Sequence, residues 1–316
     1  MISSRSNTSL AYEERPSPVR QARRVRVGRL SRQERLAYRI LLPVLGTIFV
    51  IVAYPLVVAV QQSVTNATGA FVGLSNYGLA LRSPLLYQSL RATGQYAALV
   101  LPTEILLGLG FALLVHRVVR RPGLRAAFYV LAIVPLVVPP VAVGVVARLM
   151  YAPGYGILNQ LLNAVGLIHG EIRWLGDPVL AMLSVASADV WQWTPFVYIV
   201  LFAGLQTVPT EAVEAAQVDG ASGWSQFWYI ELPYLRPLFV LILFFRLADV
   251  LRAFDAIFIL TGGGPGSTTQ LLSLFLYQVE FKFSQAPQAA ALAVLIMLII
   301  SLVYSFVTRL LPLERA

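Results

Sequence analysis

Long apolar runs separated by short polar segments dominate the sequence from about position 40 onward. Six of these runs reach the roughly 20 residues that an α-helix needs to cross the hydrocarbon core of a bilayer. Backbone N–H and C=O groups find no water in lipid, so each run is expected to be helical. We therefore predict an all-α integral membrane protein with six transmembrane helices, at about 40–61, 91–115, 124–150, 179–205, 237–261 and 288–311.

Proline interrupts several of these runs, and the pair Pro139–Pro140 in the third run is the clearest interruption. Proline has no backbone N–H, and its ring clashes with the preceding helical turn. Neighbouring helices can accommodate such a break inside a membrane. The pair predicts a bend or an unwound turn within the third span.

The composition agrees with a membrane protein, because 58% of the residues are hydrophobic and 12% are charged. Soluble domains carry about 25% charged residues. The absence of cysteine excludes disulfides, thiol catalysis and zinc–thiolate sites. The two histidines, His116 and His169, lie far apart, which argues against a histidine metal site. We expect no catalytic residue and no metal ligand in this chain.

The formal charge of +9 is concentrated at the N-terminus, where ten arginines fall within the first 39 positions. We interpret residues 1–36 as an arginine-rich cytoplasmic tail and 37–316 as one membrane domain, with no nucleic-acid partner. The alternative is that the tail forms an amphipathic helix bound to anionic lipid.

Arginine counts predict the orientation, because cytoplasmic loops of membrane proteins are enriched in Lys and Arg. The segment 116–125 has four arginines, whereas 62–90, 151–178 and 262–287 each have one basic residue. The N-terminus, 116–125, 206–236 and the C-terminal tail with Arg309 and Arg315 are therefore predicted to be cytoplasmic.

The cytoplasmic segment 206–236 has the pattern of a helix–turn–helix. Pro209 and Thr210 mark a helix start, and "DGASG" breaks that helix with Gly220 and Gly223 free to take positive φ. A second helix, "WSQFWYIEL", is predicted to run to Pro233 with its aromatic residues on one face. An acidic rim accompanies this face, formed by Glu211, Glu214, Asp219 and Glu231. We interpret the segment as a docking element for a soluble partner; the alternative is a hairpin lying on the membrane interface.

The stretch "EAAQVDGASGWSQFWYIELP" resembles the EAA loop of ABC importer permeases. In that family the loop is a coupling helix that inserts into a groove of the ATPase subunit. The resemblance implies a cytoplasmic coupling helix here, with coupling residues Glu214, Ala215, Ala216, Asp219, Gly220, Ala221, Ser222 and Phe227; Leu232 and Pro233 complete the motif.

Three further segments resemble carbohydrate permeases of the maltose, trehalose and glycerol-phosphate importer class, in the first of the two permease subunits. They are "FVGLSNYGLAL", "YAPGYGILNQLL" and "ILTGGGPGST". The resemblance implies a type I ABC importer permease bundle in the bacterial inner membrane. It also implies a heterodimer with a second permease subunit, two ATP-binding subunits and an extracytoplasmic sugar-binding protein.

The chain has no G-x-x-x-x-G-K-[ST] phosphate loop, and "TGGGPG" at 261–266 lacks the lysine. We therefore expect no cofactor in this chain and expect MgATP to be bound and hydrolysed by the partner subunits.

Ionisable residues inside spans are costly and are candidates for function; we assign them to the fourth and fifth spans. In the fourth, a carboxylate, an amide and two aromatic rings share one helix face: Asp189, Gln192, Trp193 and Phe196. Polar groups on such a face suit sugar hydroxyls, and the rings suit the apolar faces of a sugar. The alternative is that Asp189 pairs with an arginine of another span while the aromatic residues are bundle core.

In the fifth span, Arg246, Asp249, Arg252 and Asp255 recur every three residues. On one continuous helix Arg246 and Asp255 point to opposite sides, so the four are not expected to line one cavity. We expect Arg246 and Asp249 to line the substrate path, and Arg252 and Asp255 to pair with each other or with a partner helix.

The resemblance to maltose-type permeases adds Val250 and Ala253 of the fifth span, and Leu136 and Pro140 of the third, to the predicted path. Two other classes stay open from the residues themselves. A secondary transporter needs coupling-ion sites and often has inverted repeats and discontinuous helices. We find no internal repeat that pairs two halves, and this class would leave the acidic cytoplasmic segment unexplained. A membrane-embedded enzyme needs clustered carboxylates or a metal site at a span end.

Overall fold

The computed structural model describes residues 32–310, so residues 1–31 of the predicted tail and Arg315 lie outside it. The described chain is α-helical, with one isolated bridge between Thr65 and Phe71. Its α-helices are α1 Arg32–Ser63, α2 Ser75–Arg82, α3 Pro84–Val118, α4 Pro122–Val137, α5 Pro140–Met150, α6 Ile157–Ala164, α7 Pro178–Leu205, α8 Thr210–Val218, α9 Gly223–Gln226, α10 Leu232–Arg252, α11 Asp255–Leu260, α12 Leu272–Tyr277 and α13 Ala286–Leu310. Two short π-helical segments, Phe227–Glu231 and Gln278–Lys282, precede α10 and α13.

Three of the described helices are long and apolar enough to cross a membrane: α1 over Tyr38–Ser63, α3, and α13 over Ala286–Val307. Two bent pairs bring the number to five if each pair is one span: α4 with α5, and α7 with α8. The fifth predicted span corresponds to α10 and α11, and α10 carries three arginines and an aspartate. The total of six spans stays a prediction.

The third predicted span is bent by 92° where α4 ends and α5 begins at Pro140. The bend leaves the Val138 carbonyl outside the helical hydrogen-bond pattern. The side-chain amide of Gln192 on α7 donates to that carbonyl at 2.8 Å. A broken helix inside a bundle needs this kind of side-chain partner for its free backbone groups.

The fifth predicted span is also broken, because α10 ends at Arg252 and α11 begins at Asp255. The hydroxyl of Ser273 donates to the Ala253 carbonyl in the gap. Arg148 of α5 donates to the Ile259 carbonyl near the end of α11 at 3.0 Å. The expectation of one continuous helix over 237–261 is therefore wrong.

Packing contacts divide the chain within α1, after Tyr54, and the unit from Pro55 onward contains the core. In that unit α3 packs along α7 at very close range. Gly108 makes this approach possible, since a Cβ atom placed there would lie 2.6 Å from the Cβ of Val197. Buried residues of α10, among them Leu235 and Ile242, close the same core.

Candidate functional site

A polar cavity of about 280 Å³ lies where the breaks in the third and fifth predicted spans face α7. Its volume is close to the lower end of the range for small-molecule sites. The lining comes from α3, α5, α7, α10, α11 and the gap between the last two: Tyr96, Pro140, Asp189, Gln192, Trp193, Arg246, Asp249, Arg252, Ala253, Phe254, Asp255, Ala256 and Ile257.

Seven of the ten residues predicted for the substrate path line this cavity: Pro140, Asp189, Gln192, Trp193, Arg246, Asp249 and Ala253. The other three do not. Val250 is buried in the apolar core, Phe196 packs edge-on against Trp193 at 6.4 Å, and Leu136 is partly buried in α4. The role of the seven in substrate binding stays a prediction.

Arg246 is the centre of the charged cluster on the cavity wall, and it is only 1% exposed. Its Nε and Nη2 donate to the two carboxylate oxygens of Glu104 at 2.7 and 2.8 Å. Nη2 also donates to Asp189 at 2.6 Å, while Nη1 lies 3.7 Å from Asp249. The guanidinium carbon lies 4.7 Å from the ring centre of Trp193, within the range of a cation–π contact. Asp189 on α7 thus pairs with an arginine of another helix, which was the alternative to a role in sugar binding.

The arrangement of the four charged residues at 246–255 differs from the expectation in two ways. Arg252 pairs with Asp249 at 3.0 Å, rather than with Asp255. All four side chains line the one cavity, although a continuous helix would point Arg246 and Asp255 apart. The helix breaks at Ala253 and Phe254, whose backbone angles are not helical, so the spacing of a continuous helix does not extend from Arg252 to Asp255.

Sequence reasoning missed Glu104 and Tyr96, which α3 brings to the cluster. The assignment of ionisable residues to two spans was therefore wrong, because Glu104 lies inside the second predicted span. The signal was present, since Glu104 is the one acidic residue of the 35-residue helix α3. A lone carboxylate in so apolar a helix needs a buried cation, and Arg246 supplies it.

A second, apolar cleft of about 480 Å³ lies between α3, α4 and α7. Its polar side chains, Thr194, Tyr198 and Trp191, are few, and the rest of its wall is aliphatic, proline and phenylalanine. It offers little to hydrogen-bond a polar solute, so the smaller polar cavity is the better candidate site.

The predicted coupling segment begins after α7, and α8 is bent by 73° from it. Helix α8 has no buried residue, and Glu211, Glu214 and Asp219 are exposed. Gly220 follows with φ of +78°, as predicted, whereas Gly223 is the first residue of α9 and is helical. The Ser222 hydroxyl caps α9 by accepting from the Ser225 N–H.

The coupling residues fall into two groups by exposure. Glu214, Ala215, Asp219, Gly220 and Ser222 are exposed, Ala216 and Ala221 are partly buried, and Phe227 is buried. Two apolar side chains beside them are well exposed, Val218 at 88% and Trp224 at 70%. The exposed acids and apolar groups together form an uncovered surface on this chain.

The second half of the segment differs from the predicted helix that stops at Pro233. α9 passes through the π segment Phe227–Glu231 into α10, whose second residue is Pro233. The aromatic side chains do share a face, with Trp224 and Trp228 rings 5.6 Å apart. Glu231 does not belong to an acidic rim, because it is buried and pairs with Arg117 at 2.8 Å.

Comparison with protein families decides the class of the molecule. Residues 104–313 match the family described as the binding-protein-dependent transport system inner membrane component. The chain belongs to this family. It is accordingly an integral inner-membrane protein and an ABC transporter permease subunit, and not an enzyme.

Curated relatives agree over most of the chain. The trehalose/maltose transport system permease protein MalF of Thermococcus litoralis is 35% identical over 78% of this chain and 83% of its own length. The trehalose transport system permease protein SugA of Mycobacterium tuberculosis (strain ATCC 25618 / H37Rv) is 32% identical over 86% of this chain and 87% of its own.

A solved structure has the same fold as this chain. It is a bacterial ABC transporter involved in the import of the acidic polysaccharide alginate, and the match has a TM-score of 0.78. The match covers 90% of this chain and 97% of that one at 23% identity. The fold is therefore that of an ABC importer permease.

Proposed function

We propose that this chain is a transmembrane subunit of an ATP-driven sugar importer, forming half of the translocation path. The polar cavity carries the proposal, because it places carboxylates, an amide and an indole ring around one space. Carboxylates and amides bind sugar hydroxyls, and an aromatic face covers the apolar side of a sugar ring. The relatives named for trehalose and maltose transport support the same substrate class.

The breaks in the third and fifth predicted spans support a transport role for this cavity. Irregular backbone at membrane depth is tolerated where it is buried in protein or lines a cavity. Both breaks border the cavity, one at Pro140 and one at Ala253. In the proposed cycle, rearrangement at these breaks exposes the cavity to one side of the membrane and then to the other.

The exposed surface of α8 and α9 is proposed to dock into a separate ATPase subunit. Its acids, Val218 and Trp224 are exposed in the described chain. The assembly comprises a second permease subunit, two ATP-binding subunits that hold MgATP, and an extracytoplasmic sugar-binding protein. With this surface cytoplasmic, both termini are cytoplasmic as well.

Reconstitution tests the proposal. The chain is purified with co-expressed partner subunits, placed in lipid vesicles and supplied with binding protein, ATP and a panel of labelled sugars that includes trehalose and maltose. ATP-dependent uptake of one of these sugars is the expected result. Uptake that persists in vesicles without any ATPase subunit would show an ion-coupled mechanism instead.

A further inference from the structure

Glu104 contributes to the candidate site from outside the cavity wall. It is 1% exposed, and it does not line the cavity, yet both its oxygens accept hydrogen bonds from Arg246. A buried carboxylate is costly unless it is paired, and Arg246 of the cavity wall supplies that pairing.

The guanidinium of Arg246 is the group on the cavity wall that is best suited to bind a carboxylate, because its planar fork matches two carboxylate oxygens. In this structure Glu104 occupies that fork through Nε and Nη2. Asp189 takes a further hydrogen bond from Nη2. To bind this fork through two of its nitrogens, an anionic solute would have to displace one of these carboxylates, because both hydrogens of Nη2 are already donated.

The charges around the cavity do not favour such a displacement. Arg252, the second cation of the wall, pairs with Asp249, and the side chain of Asp255 is exposed nearby. With Glu104 included, four carboxylates surround two guanidinium groups. A carboxylated solute would add a fifth carboxylate to this cluster, and unfavourable contacts between acidic groups discriminate against such a ligand. Uncharged hydroxyls, in contrast, can donate to Asp189 and Asp249.

We infer that Glu104 sets the charge selectivity of the cavity: by neutralising Arg246 from behind, it makes the cavity accept uncharged sugars and reject carboxylated ones. The inference rests on the proposed sugar transport. It makes Glu104 a positioning residue that acts through Arg246 and does not touch the sugar.

The test compares sugars that differ in one carboxylate. Methyl α-glucoside and methyl α-glucuronide, and the corresponding galactoside and galacturonide, are titrated against the purified complete transporter without binding protein, with binding followed by saturation-transfer NMR. The wild type is expected to prefer each neutral member by tenfold or more. Glu104→Gln keeps the shape and removes the charge, so the preference should narrow by about tenfold. Glu171→Gln, the same exchange at an exposed position, should leave it unchanged.

Two results would overturn the inference: equal or tighter binding of the uronides by the wild type, or an unchanged preference in Glu104→Gln. If that variant does not fold, Asp189→Asn removes the other carboxylate bonded to Arg246 and must show the same loss of preference. Absence of binding by either pair, together with absence of uptake in the vesicles, would instead contradict the proposed sugar transport.

Discussion

Arg246 shows at the scale of one residue how a charge becomes tolerable inside this fold. Its carboxylate partners come from α3 and α7, and the indole of Trp193 lies beside its guanidinium. Pairs of this kind contribute little net stability over apolar packing, but removal of one partner leaves an uncompensated charge. Replacing Arg246 alone is therefore expected to be destabilising.

Arg246→Met is expected to destabilise the protein by about 3–5 kcal/mol, since Glu104 and Asp189 are left buried without their cation. Arg252→Met is the matched control, because the side chain of Arg252 is 69% exposed. Its loss should cost less than about 1 kcal/mol. Thermal unfolding of the purified complex in detergent measures both losses. Equal shifts of the unfolding midpoint in the two variants would contradict a special cost of leaving Glu104 and Asp189 unpaired.

At the scale of the element, the geometry of the site depends on two features. Helices pack closely, and side chains form hydrogen bonds with the free backbone groups at helix ends. α3 approaches α7 so closely at Gly108 that there is no room for a methyl group. Gln192, predicted only as a substrate ligand, donates to the Val138 carbonyl at the bend between α4 and α5. One side chain can therefore fix the bend and border the cavity.

Gly108→Ala is expected to force α3 and α7 apart and to lower stability by about 1–3 kcal/mol. The new Cβ would lie 2.6 Å from the Val197 side chain and 3.0 Å from the backbone nitrogen of Tyr198. Gly110→Ala is the control in the same helix, where a Cβ meets nothing within 4 Å. Thermal midpoints of the two variants are compared, and a midpoint for Gly108→Ala equal to that of the wild type would exclude the steric explanation.

The Arg117–Glu231 pair links the end of α3 to the π segment before α10. Arg117→Met should cost about 1–3 kcal/mol, because Glu231 stays buried without its charged partner. In Arg117→Met/Glu231→Met both charges are absent, so much of the loss should be recovered. A double-mutant cycle on thermal stability gives the coupling; additive losses would show that the two residues act independently.

At the scale of the whole molecule, the proposed docking surface and the cavity lie on the same chain of helices. α7 carries Asp189 to the cavity and leads into α8, while α9 continues through the π segment into α10, which carries Arg246. A displacement of α8 and α9 is thus connected to two of the three helices that build the charged cluster. We expect ATPase movements to reach the cavity by this route.

Gly220→Ala is expected to lower sugar uptake per ATP hydrolysed in the reconstituted transporter. The turn between α8 and α9 needs φ of +78° at this position, which costs an L-residue about 1–2 kcal/mol. Gly223→Ala is the control, since its φ is not positive and its Cβ would lie 3.6 Å from Arg117. Equal uptake-to-hydrolysis ratios in both variants and the wild type would contradict a coupling role for this turn.

The sequence alone determined the class of the molecule, the positions of the main helices, the bend at Pro139–Pro140 and the turn at Gly220. These features follow from local physics: apolar length matches a bilayer, proline breaks a helix, and glycine permits positive φ. Helical spacing put Asp189, Gln192 and Trp193 on one face, and all three line the cavity. Arg246 and Asp249 were predicted as charged residues of the fifth span, whereas Pro140 and Ala253 came only from the resemblance to maltose-type permeases.

Only the tertiary structure decided how the charges pair. Glu104 and Arg246 are 142 positions apart, and no local pattern specifies which buried cation a lone carboxylate will meet. The break after Arg252 was equally hidden, because the residues there are not helix breakers and Ser273, from α12, stabilises the free Ala253 carbonyl. Residue spacing predicts which side chains share a helix face only as long as the helix is continuous. Where the helix breaks, packing against distant segments sets the direction of each side chain.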